Sequence, residues 1–139
     1  MKSIALAVAL LAQPASPAAP AGDFCAGVRA LAAGAAEATP FQAMRATQTQ
    51  FRMDRLACFF TSAGGYLCAH NLARPNETRD IYATRVAACL PGATRTSERR
   101  DHRNLVIVRS GALEARFEEQ GQDQGHVGRR VSIFFAAVR

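Results

Sequence analysis

Three histidines, His70, His102 and His126, are the side chains of this 139-residue chain that titrate near neutrality when unperturbed. Two such groups on either side of a phosphate, with cations to hold it, form a general acid–base pair for phosphodiester cleavage, as in secreted ribonucleases. Cations are at hand. Arg95, Arg99, Arg100 and Arg103 form the densest basic segment, and Arg99, Arg100, Arg103, Arg129 and Arg130 make a candidate anion-binding patch. Yet no segment matches a ribonuclease motif. Glu98 and Asp101 dilute the basic run, and no aromatic interleaves it for base stacking. Ser62, Ser97, Ser110 and Ser132 lie in no G-x-S-x-G elbow. Among carboxylates, Glu118 and Glu119 are chain neighbours that a strand turns to opposite sides. Glu114 and Glu118 share a strand face with Arg116 between them, which reads as a solvated ladder.

The cysteines, Cys25, Cys58, Cys68 and Cys89, are spaced by 33, 10 and 21 residues. No C-x₂-C pair is present, so the spacing argues against zinc, and nothing in the sequence calls for a cofactor. An even count in an exported chain argues for two disulfides, with three pairings open. Cys58 and Cys68 flank Ser62-Ala63-Gly64-Gly65. A three-residue loop with Gly64 left-handed sets opposite each other residues whose numbers sum to 126, which Cys58 and Cys68 do. Opposed residues at a non-hydrogen-bonded site lie about 4.5 Å apart between Cα atoms, at the short end of disulfide geometry. A two-residue Gly64-Gly65 turn would put them on opposite faces instead. Cys25 starts one expected helix and Cys89 ends another, so the favoured pairing is Cys25–Cys89 with Cys58–Cys68.

Export is expected from the first residues. Met1-Lys2-Ser3 is a positive n-region, Ile4 to Ala12 an apolar h-region, and Ala19-Pro20-Ala21 a cleavage site, so residues 1–21 read as a signal peptide. Residues 22–139 then suffice for one domain. No later apolar run is long enough for a membrane helix. The chain has 17 basic residues, all Arg but Lys2, against 11 acidic ones. That mild excess suits an acidic partner, nucleic acid or anionic lipid, and equally just solubility.

The periodicity supplies the elements that must position these groups. Behind Asp23 as N-cap, Phe24, Cys25, Val28, Leu31, Ala32 and Ala35 recur at helical spacing. Thr39-Pro40 reads as the cap and first residue of a single turn, Phe41 to Arg45. From Thr47 the period becomes two, with Thr49, Phe51 and Met53 on one side. Leu56 to Asn71 reads as a hairpin. Asn76 caps a second helix on which Ile81, Tyr82, Val86, Cys89 and Leu90 share a face, stopped by Pro91-Gly92. Ala93 to Arg103 reads as a polar loop. Leu105 to Val108 is apolar on both faces, as a central strand is. Leu113 to Glu118 alternates, and Val131 to Val138 closes the chain. The expected class is α+β, an antiparallel sheet with two helices packed on one face, in the order α-β-β-β-α-β-β-β. The expected core is Val28, Leu31, Phe51, Phe59, Ile81, Val86, Val106, Ile107, Phe117, Ile133 and Phe135.

The cysteine-bearing hairpin, Cys58 with Tyr66-Leu67-Cys68, and the helix ending Val86-Ala87-Ala88-Cys89-Leu90-Pro91-Gly92 resemble small exported proteobacterial proteins with no assigned function. The resemblance implies export and a stapled α+β fold, and it brings no catalytic residue. The element order also resembles type III secretion chaperones, which bind other proteins, although those are cytosolic and usually acidic. The leading expectation is therefore a non-enzymatic periplasmic or secreted module that binds a protein or a cell-envelope component. The alternative is a small exported hydrolase acting on phosphodiesters through His70, His102 and His126, with Arg on the phosphate.

Overall fold

The computed structural model describes residues 23–72, 77–121 and 129–139. The expected leader, Asn76 and His126 lie outside them. Helix α1 (Phe24–Ala35) begins where the Asp23 carboxylate accepts the Ala26 N–H at 3.0 Å. Its buried side is Phe24, Val28, Leu31 and Ala35, as the periodicity requires. Gly27 lies on the same side, where the helix crosses the first strand. A Cβ at Gly27 would stand 2.4 Å from Met53 Cγ, so the close approach depends on its absence.

Helix α2 (Gln42–Thr47) does not use Thr39-Pro40 as its start. Its first flanking residue is Phe41, left-handed at φ 61° and fully buried. The Phe41 ring meets Tyr66 edge-on at 5.5 Å, and burial of that ring, rather than a hydroxyl cap, sets where the helix begins. Glu37 receives the orphan Ala43 N–H at 3.0 Å.

Strand β1 (Gln50–Met53) is shorter than the alternation from Thr47 suggested, because Thr47 ends α2 and donates its hydroxyl to Ala43 O. Strands β2 (Leu56–Phe60) and β3 (Tyr66–Asn71) form the hairpin. Thr61 and Gly65 close a three-residue loop with Gly64 at φ 85°, and the register pairs Cys58 with Cys68. Helix α3 (Arg79–Cys89) starts behind Thr78, whose hydroxyl accepts the Ile81 N–H, later than an Asn76 cap would place it. It buries Tyr82, Ala83, Val86 and Cys89, and Leu90 follows as C-cap. Ile81 is 44% exposed, one position off that face, and is not core.

The segment expected to be a polar loop is strand β4 (Thr94–Arg100). It turns through Asp101 and His102, both at positive φ, into β5 (Arg103–Ser110). Strands β6 (Leu113–Gln120) and β7 (Arg130–Ala137) complete one antiparallel sheet in the order β1-β2-β3-β7-β6-β5-β4. β5 is therefore next to an edge, not central. The halves α1-β1-β2-β3 and α3-β5-β6-β7 have the same order and meet antiparallel at β3–β7. Each opens with a two-residue hairpin, Met53 across from Leu56 and Ser110 across from Leu113. α2 is the addition to the first half and β4 to the second.

α1 and α3 both pack on one face of the sheet. Along its middle row the sheet offers them Phe51, Cys58, Cys68, Ile133, Phe117 and Val106. One disulfide joins Cys25 to Cys89, fastening the start of α1 to the end of α3, with Cα atoms 5.2 Å apart. The other joins Cys58 to Cys68 across the hairpin, at 4.0 Å. No helix among the described residues is long and apolar enough to cross a membrane.

Candidate binding face

With the helices on one side, no helix among the described residues lies over the other side of the sheet. Strand alternation puts there, in one cross-strand row, Gln50, Phe59, Leu67, Phe134, Arg116, Ile107 and Thr96. Phe59, expected in the core, is 40% exposed because it belongs to this row. Ile107 belongs to it as well, yet is fully buried, flanked by Thr96 and Arg116. The neighbouring row has small residues at its centre, Ala57, Ala69 and Ser132, then Glu118 and Leu105. Large beside small makes a groove. Its volume is about 550 Å³, lined by Leu67, Leu105, Ser132 and Phe134 together with Arg100, Arg103, Arg116, Asp101 and Glu118. The Phe134 ring lies against Gly65, where a Cβ would come within 2.8 Å of Cζ. On its other side the Arg116 guanidinium stands 5.7 Å from the ring centroid.

Charge on this face is organised around Glu114. Read as part of a solvated ladder, Glu114 is instead only 3% exposed. Arg109 Nε donates to one of its oxygens at 2.8 Å and Arg116 Nε to the other at 2.5 Å. Burial pushes the carboxyl up, but the hydrogen bonds and charges of Arg116 and Arg109 outweigh it and hold the group below the ordinary carboxylate range. Over the whole face the strands carry six arginines, Arg52, Arg100, Arg103, Arg109, Arg116 and Arg130, against Glu98, Glu114 and Glu118.

The anion-patch arginines are divided among several places. Arg99 and Arg100 are consecutive on β4 and point to opposite faces. Arg100 pairs with Glu98 at 2.7 Å, and Arg103 with Glu118 at 3.4 Å, both bordering the groove. Arg129 pairs with Glu119 at 3.1 Å in a different cleft. Arg130 is exposed and lines a small cavity beside His70.

The larger cleft, about 780 Å³, opens where α3 begins and includes Arg79, His102, Arg103, Glu118, Glu119 and Arg129. Several of its polar groups are tied to neighbours, while Arg79 Nε is buried without a hydrogen-bond partner among the described residues. Glu119 accepts the Arg79 N–H at 3.1 Å, capping α3, and takes the Arg129 guanidinium on its other oxygen. The Arg79 guanidinium donates to Asn104 O at 2.6 Å. These contacts brace helix against sheet, and no large apolar side chain lines the cleft, whereas Leu67, Leu105 and Phe134 line the smaller groove, which makes it the better candidate. His102 lines this cleft, whereas His70 lines a separate cavity of about 280 Å³. His70 Nε2 stands 3.7 Å from Glu77 Oε2, and neither atom has a hydrogen-bond partner among the described residues. No group of three or more His, Cys, Asp or Glu able to hold a metal occurs among the described residues.

The row Phe59–Leu67–Phe134 escaped sequence reasoning because alternation shows two faces without showing which one the helices cover. The signal present was Phe134 and Ser132 alternating with Val131, Ile133 and Phe135 in β7. Compared with family models, curated proteins and solved structures, the chain matches none.

Proposed function

We propose that this protein is a non-enzymatic binding module of the exported compartment, whose working surface is the sheet face opposite the helices. The observation that carries this reading is the grouping of Phe59, Leu67 and Phe134 beside a groove edged by Arg100, Arg103 and Arg116. Apolar centres with arginine-rich borders are what protein interfaces are made of. Two disulfides suit an oxidising compartment and support export. A hydrolase reading has less to stand on, since the described histidines line different cavities.

Serine at both Phe59 and Phe134 tests the reading. Neither ring faces the helices, so the variant should fold. Native protein in an extract of the producing cells is expected to elute in a complex, and the double variant alone. His70→Ala and His102→Ala are expected to keep the complex. A complex indifferent to Phe59 and Phe134, or nuclease activity that disappears with the histidines, would contradict the proposal.

A further inference from the structure

Building on that reading of the face, we infer that its occupant is a protein segment with one large apolar side chain flanked by carboxylates. The groove, at about 550 Å³, matches one anchor and its neighbours. Leu67, Leu105 and Phe134 take the apolar side chain. Arg100 and Arg103 sit opposite each other across the β4–β5 turn, with side chains 44% and 64% exposed, and present guanidinium forks to carboxylates. Their present partners are single carboxylates on the same surface, so an incoming acid joins an existing network at modest desolvation cost.

Charge also separates this occupant from others. A second copy would set two faces, each with more arginines than glutamates, against one another. A bilayer spreads its anionic headgroups over Glu118 and Asp101 as well as over the arginines, whereas a segment can set its carboxylates at Arg100 and Arg103 alone. Both signs placed around an apolar centre suit a protein partner with complementary charges, which fixes its register.

The test is fluorescence anisotropy on the oxidised protein, with a labelled peptide of one phenylalanine between runs of Glu and Asp. Comparison probes are the same peptide with Ala for the Phe, the same peptide with Lys for every acid, and phosphatidylglycerol vesicles. The acidic Phe peptide is expected to bind. R100E/R103E should weaken it by about tenfold and reverse the preference toward the Lys peptide. Removing the Phe should cost a similar factor. Equal binding of acidic and basic peptides, no binding of the acidic peptide at millimolar concentration, binding to vesicles alone, or self-association in sedimentation would each overturn the inference. The reading of the face itself fails separately, by persistence of the cellular complex when Phe59 and Phe134 are serine.

Discussion

Glu114 shows how one residue's environment decides its energetics. Two arginine Nε–H groups reach a carboxylate that the sheet has removed from water. Its folded pKa lies below the unfolded value of about 4.3, so its contribution is complete above that pH and is lost as pH falls through the folded pKa. Glu114→Gln is expected to lower the urea midpoint near neutrality, by an amount worth about 1–3 kcal/mol. The gap to wild type should close in titrations toward pH 2. A gap constant with pH would mean the carboxylate's charge contributes nothing. Gly27→Ala should destabilise by about 1–3 kcal/mol through the clash with Met53, and less in a Met53→Ala background. Glu114 read as solvent-facing because alternation shows only that a residue leaves the helix-covered side. It cannot show that Arg109 and Arg116 fold over it.

At the scale of elements, the sheet's two faces divide the apolar residues into different jobs. Phe135 faces the helices and Ile107 lies on the opposite face beside Arg116, and both are fully buried. Alanine at either should cost about 2–5 kcal/mol in equilibrium unfolding. Phe59→Ala, at a 40% exposed site, should cost far less, and equal costs at all three positions would show the division to be wrong. The β2–β3 register was legible as one of two options, since a three-residue loop with Gly64 left-handed sets Cys58 opposite Cys68 while a Gly64-Gly65 turn would not, and the first is the one formed. Strand β4 was not. Thr-Arg-Thr-Ser-Glu-Arg-Arg has no apolar alternation because an exposed edge strand buries neither face. Its turn uses Asp101-His102, without the glycine that marks most such hairpins. Charge along this edge also guards it against pairing with other chains.

For the molecule as a whole, two unequal staples act within the layers, one between the two helices and one within the sheet. Cys25–Cys89 closes a separation of 64 residues and ties α1 to α3, while Cys58–Cys68 closes only 10. Chain entropy gives about 4 and about 3 kcal/mol for such loops, so serine at Cys25 and Cys89 should lower stability more than serine at Cys58 and Cys68. Thermal unfolding of the paired variants measures that order. The fold class was legible because helical and two-residue periods succeed each other cleanly. The proposed binding face was not, because helix coverage is a property of the assembled layers. On the proposed reading the helices have a structural part, and recognition belongs to the side they leave open. A photo-crosslinking amino acid placed at Leu67 or Phe134, and for comparison at Arg29 of α1 or Ala88 of α3, distinguishes the two sides in the producing cell. Adducts of one defined mass from Leu67 and Phe134, and none from Arg29 and Ala88, are the predicted result. Adducts from the helix positions alone, or from none of the four, would contradict the assignment of the open sheet face as the binding surface.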